Sequence, residues 1–130
     1  MMNIIADENM ALVQEFFGDL GNLQCYAGRQ LNTQLLQQAN VLLVRSVTQV
    51  NQALLVNTPV RFVGSATIGA DHLDLRWLAQ QQIMTTTAPA CNARSVVEYV
   101  FAVLAYLQEQ LQQDMSAKVL GVVGLGNVGQ

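Results

Sequence analysis

The residues of this chain best suited to chemistry are a glycine cluster and a few short polar segments that follow apolar runs. Gly124, Gly126 and Gly129 form Gly-x-Gly-x-x-Gly directly after Val119-Leu120-Gly121-Val122-Val123. In that pattern the first glycine permits a tight turn after a strand. The second lets backbone approach a pyrophosphate, and the third lets a following helix pack close to the strand. Upstream, Arg45-Ser46-Val47-Thr48 and Ser65-Ala66-Thr67-Ile68-Gly69 supply hydroxyls, backbone N–H groups and one guanidinium. That kit suits a carboxylate or a phosphate. The same residue types are also what turns contain, so the loops by themselves leave anion binding and ordinary turn chemistry both open.

Other candidates are weaker. His72 is the single imidazole of the chain. It follows Asp71 at the expected start of a helix, where capping or packing suits it better than catalysis, which needs an oriented partner. Glu98 is the one charge inside a strongly apolar segment and has Arg94 four residues before it, so a buried, paired carboxylate is expected. Cys25 and Cys91 are far apart and share no ligand spacing with His72. No metal site is expected from them; two buried thiols are.

These residues must be positioned by regular elements, and the apolar pattern supplies them. Asn3–Ala6, Leu23–Ala27, Val41–Val44, Arg61–Gly64 and Ile83–Thr87 read as strands. Between them Met10–Leu20, the segment after Asn32-Thr33, the segment after Asn51 and Leu73–Gln82 read as helices. Strands alternating with helices imply a parallel sheet with right-handed crossovers. The predicted fold is α/β: a flavodoxin-like doubly wound parallel sheet over residues 1–90. Residues 91–115 are expected to form a connecting helix, apolar all round in its first half and therefore buried. Residues 116–130 read as the first strand and glycine turn of a truncated Rossmann domain, cut at Gln130 before the helix that would follow.

Composition narrows the function classes. The chain has 130 residues, is 52% hydrophobic and 12% charged, and carries a net charge of -3. Its basic residues are scattered singly, which argues against nucleic acid as a partner. No basic-then-apolar leader opens the sequence, and Val96–Leu107 is too short to span a bilayer. A soluble cytoplasmic protein is expected. A receiver-type phosphorylation switch would have a similar size and fold, with Asp7-Glu8 as its magnesium pair. But Val41–Val44 is followed by Arg45-Ser46 rather than by a phospho-acceptor Asp. A small-anion-binding module without catalysis is the other non-enzymatic reading.

The segments Ile5–Met10, Val44–Thr48, Phe62–Asp74, Ala88–Val100 and Gly121–Gly129 together resemble the D-isomer-specific 2-hydroxyacid dehydrogenases. The likeness runs over essentially the whole chain. Val44-Arg45-Ser46-Val47-Thr48 and Ala66–His72 point to a branch oxidising the 2-hydroxyl of 4-phospho-D-erythronate with NAD; a sibling such as a phosphoglycerate dehydrogenase is the alternative. The resemblance implies that Ser46 and Thr67 contact substrate, and Arg45 joins them on its chemistry. It implies that Gly124, Gly126, Asn127, Val128 and Gly129 hold the cofactor pyrophosphate through backbone N–H groups. It further implies a homodimer, and catalytic Arg, Glu and His residues downstream of this segment. His72 is then not the family's catalytic histidine, and the 130 residues by themselves are expected to be inactive.

Overall fold

The computed structural model covers residues 1–130. The chain divides into two units, Met1–Pro89 and Ala90–Gln130.

The first unit is built on a parallel sheet of five strands in the order β2-β1-β3-β4-β5. The strands are β1 (Asn3–Asp7), β2 (Asn22–Tyr26), β3 (Val41–Val44), β4 (Phe62–Ser65) and β5 (Met84–Thr86). Side chains alternate across the pleat, and the core divides accordingly. Ile5, Leu42, Val44 and Val63 face one cluster with Leu36, Leu55, Leu78 and Ile83. Ile4, Ala6 and Leu43 face the other, with Val13. The helices α1 (Val13–Phe17), α2 (Gln52–Leu55) and α3 (Leu75–Gln80) thus cover opposite faces, α1 on one and α2 and α3 on the other. This is the doubly wound arrangement expected from the alternation.

The helices are shorter than their apolar patterns suggest. Met10–Leu20 reduces to α1 and a 3-10 turn at Gly18–Leu20. Leu12 has a φ of 58°, so the chain enters the helix late. Asn51 and Asp74 cap α2 and α3 by accepting from Leu54 N (3.2 Å) and Trp77 N (3.0 Å). The segment after Asn32-Thr33 is a 3-10 turn, Leu35–Gln38, before which Asn32 Oδ1 accepts from Leu35 N at 3.1 Å.

The second unit contains α4 (Ala93–Leu111), a 3-10 turn at Met115–Ala117 and an irregular tail. Four expectations change here. No residue of α4 is buried, and Tyr99, Phe101 and Tyr106 are exposed. Within this unit there is only a short turn and coil to cover a helix of this length. Nor do residues 118–123 form a strand; Val119 and Val123 are fully exposed. A strand needs neighbours for its N–H and C=O groups, and an apolar run without a ladder does not make one. Glu98 does pair with Arg94, at 2.8 Å, but on an exposed surface. Both cysteines are exposed, Cys25 on an outer strand and Cys91 in the turn before α4.

Candidate functional site

In an open parallel sheet, ligands bind outside the carboxyl ends of the strands, beside the point where strand order reverses. Here β1 leads outward to β2 and the chain then returns to β3 on the other side of β1, so the reversal lies between β1 and β3. Asp7 ends β1, and Arg45 follows the last residue of β3. Arg45 Nη1 is 4.0 Å from Asp7 Oδ1, with the Arg45 side chain 38% exposed and that of Asp7 wholly buried. The structure therefore brings the predicted guanidinium to the reversal point and backs it with a carboxylate.

Asp7 is held unusually closely. Its Oδ1 accepts from Asn9 N at 2.8 Å, while its buried Oδ2 has no hydrogen-bond partner. Gly28, two residues past β2, lies against that oxygen, where a Cβ would collide with Asp7 Oδ2 and crowd Val47 and Thr48. Thr48 donates to the Gly28 carbonyl at 2.9 Å, tying the loop after β3 to the loop after β2. In the sequence Asp7 reads with Glu8 as an acidic pair. No group of three metal-ligating side chains forms around it.

Register then relates the two hydroxyl residues. Val44 pairs with Ser65 across the parallel ladder of β3 and β4. Ser46 and Thr67 therefore stand at equivalent places, each two residues past the last rung of adjacent strands. Ser46 is exposed in a turn closed by Thr48 N donating to Arg45 O at 3.2 Å. Thr67 is half-buried, and its carbonyl accepts from Ala88 N at 3.0 Å, which fixes the loop after β5 beside it.

Behind Thr67 lies an arrangement the sequence did not reveal. Ser65 Oγ is 2.8 Å from Thr67 Oγ1 and 2.8 Å from His72 Nε2. Ser65 and His72 are both buried. His72 does not cap α3, which Asp74 does; it sits inside, with its carbonyl accepting from Val50 N at 2.8 Å. Burial lowers the His72 pKa, with a smaller opposing pull from the Asp71 carboxylate. The available signal was the only imidazole falling in the same loop as Ser65 and Thr67. The contact itself depends on how that loop closes.

In the second unit, Gly124 has a φ of +100°, a conformation in which side chains are strained. A Cβ on Gly129 would collide with the Gly124 carbonyl, and Gly129 N donates to Gly126 O at 3.2 Å. The glycine segment thus folds into a tight turn in which its first and last glycines have steric reasons to be glycine. Asn127 and Val128 both lie exposed in that turn. A separate polar depression at the amino-terminal edge of the sheet is lined by Asn3, Asn22, Gln34 and Gln38. It offers neutral amides and no charge. No helix is long and apolar enough to cross a membrane.

The erythronate-4-phosphate dehydrogenase of Shewanella sediminis (strain HAW-EB3) is 51% identical over 129 residues, covering 98% of this chain and 33% of that protein. That of Hahella chejuensis (strain KCTC 2396) is 50% identical over 128 residues, covering 98% and 34%. The chain thus spans about a third of the length of these curated relatives. Among solved structures, the D-lactate dehydrogenase of Aquifex aeolicus, complexed with NAD and lactic acid, superposes with a TM-score of 0.69 at 22% identity, covering 98% of this chain and 45% of that one. The NAD-bound 3-phosphoglycerate dehydrogenase of Entamoeba histolytica gives 0.69 at 17% identity, covering 98% and 48%. Those two likenesses establish the fold. The family model for the D-isomer specific 2-hydroxyacid dehydrogenase catalytic domain matches residues 2–125, and the chain belongs to that family.

Proposed function

We propose that this chain is the substrate-binding part of an NAD-dependent dehydrogenase that oxidises the 2-hydroxyl of 4-phospho-D-erythronate, a step of pyridoxal phosphate biosynthesis. Ser46 and Thr67 contact the substrate, and Arg45 draws its negative charge to the reversal point. The observation that carries the reading is the register: with Val44 opposite Ser65, Ser46 and Thr67 each follow two residues past the last rung of adjacent strands, and Arg45 lies next to Asp7. Roughly 50% identity to the erythronate-4-phosphate dehydrogenases supports the choice of substrate.

Residues 1–90 act as the substrate lobe, 91–115 as the connection and 116–130 as the start of the cofactor lobe of a cytoplasmic homodimer. The Gly124–Gly129 turn fits a pyrophosphate held by backbone at Gly124, Gly126, Asn127, Val128 and Gly129, since the space beside Gly124 and Gly126 is open. NAD, when bound, supplies the hydride acceptor. This chain's own residues bind and orient the acid. They hold no free imidazole for the proton, because His72 is buried behind Ser65.

Calorimetry of the 130-residue chain with 4-phospho-D-erythronate, 3-phosphoglycerate and D-lactate tests the reading. Preferential binding of phospho-erythronate, weakened by Arg45→Ala, is expected. Equal or absent binding of all three would refute it. The same preparation is expected to reduce no NAD in an absorbance assay, and measurable turnover would refute that part.

A further inference from the structure

Thr67 is one end of a chain of hydrogen bonds with a definite direction. Its oxygen is 2.8 Å from Ser65 Oγ, which is 2.8 Å from His72 Nε2. Thr67 also donates to the Gly69 carbonyl, at 3.3 Å. Each hydroxyl carries one proton, and a carbonyl carries none. Gly69 can only accept, so the Thr67 proton is committed to it. Thr67 must then accept from Ser65, and Ser65 must accept from an Nε2–H on His72. The scaffold holds both ends: Val50 N donates to His72 O at 2.8 Å, and Asp74 N donates to Val50 O at 2.9 Å. At the other end Ala88 N donates to Thr67 O at 3.0 Å. The final link is the longest, near the limit of a hydrogen bond. The most weakly held proton of the chain is therefore on Thr67, the one member that is not buried.

We propose that His72 and Ser65 are positioning residues that hold Thr67 as a hydrogen-bond donor toward a negatively charged oxygen, carboxylate or phosphate, of the substrate. This rests on the reading of Thr67 as a substrate contact. Run in the opposite sense, the chain would leave Thr67 with a lone pair and select a substrate hydroxyl. When a charged oxygen replaces the Gly69 carbonyl as acceptor, each bond behind it strengthens.

Two measurements test this. His72 is the only histidine, so ¹⁵N spectra of the ring report it alone. In the free chain at neutral pH an Nε2-protonated ring is expected. An Nδ1-protonated ring, or an even mixture, overturns the proposal. On saturation with 4-phospho-D-erythronate the Nε2 proton resonance should move downfield; an unmoved resonance also overturns it. Calorimetry with the same compound then compares variants. Thr67→Val should weaken binding about tenfold, and Ser65→Ala and His72→Leu about three- to tenfold. His72→Gln, which keeps a donor near the Nε2 position, should recover most of the loss. If Thr67→Val binds like the unaltered chain, or the unaltered chain does not bind, the reading of Thr67 falls and the proposal with it. If Thr67→Val is weak while Ser65→Ala and His72→Leu bind normally, the proposal alone falls.

Discussion

Replacing Gly28 by alanine adds one methyl group at the most constrained point of the reversal region. The new Cβ would collide with Asp7 Oδ2 and stand 2.9 Å from Val47 Cγ2 and 3.0 Å from Thr48 Oγ1. Two of these neighbours, Asp7 and Thr48, do not yield easily. Asp7 is fully buried, Thr48 is buried, and the Thr48 hydroxyl is committed to the Gly28 carbonyl at 2.9 Å. Overpacking of this kind costs about 1–3 kcal/mol, and displacing the Thr48 bond adds about 1 kcal/mol. The expected loss is about 2–4 kcal/mol, or about 10–25 °C in Tm for a unit of this size. Urea unfolding followed by the fluorescence of Trp77, the only tryptophan, measures it. Gly18→Ala is the control. There the backbone is helical, and the added methyl meets only the amide end of the exposed Gln14 side chain. That change should stay within about 1 kcal/mol and lean toward stabilisation. If Gly28→Ala lies within 1 kcal/mol of the control, the tight seat of Asp7 against Gly28 is wrong. Because Asp7 backs Arg45, affinity for 4-phospho-D-erythronate should fall in Gly28→Ala and not in Gly18→Ala.

Burial holds the His72 pKa below its ordinary 6.5, so the unfolded chain takes up this proton first as pH falls. The contribution of neutral His72 is complete above 6.5 and is lost as pH falls from there toward the folded value. Unfolding free energies of the unaltered chain and of His72→Gln, measured from pH 7.5 to 5, should therefore converge toward the acid end; parallel curves would refute this. Asp74→Ala removes the acceptor for Trp77 N and should cost about 1 kcal/mol in the same urea assay. Glu98→Gln breaks an ion pair whose partners are 62% and 93% exposed; its effect on α4 helicity by circular dichroism should be within about 0.5 kcal/mol.

Much of the sheet was legible because its middle strands are short unbroken apolar runs. Val41–Val44 pairs on both sides and is buried on both faces, as such a run requires. The same reasoning overreached at Val119–Val123. That run has the composition of a buried strand, but composition cannot supply a ladder. It overreached again at α4, where an apolar surface was taken to imply a cover. At the edge of the sheet, Ser46, Thr67 and Arg45 were legible as residue types and loop positions. What was not legible is which of them touch. Arg45 meets Asp7 because of strand order, and Thr67 meets His72 through Ser65 because the loop after β4 bridges back to Val50. Those contacts join residues through tertiary closure, for which a linear pattern carries no period.

The pairing of Val44 with Ser65 has a consequence for how the two hydroxyl loops can vary. Their anchor points are one interstrand step apart, about 4.8 Å, and that interval is set by the ladder hydrogen bonds between β3 and β4 and not by the α2 crossover that joins them. Lengthening or shortening the crossover would leave the interval untouched. The two loops work as a ruler rather than as a hand. On the proposed reading of Ser46 and Thr67 as substrate contacts, a ligand is measured against a fixed spacing, and a change of preferred ligand has to come from the side chains mounted on it.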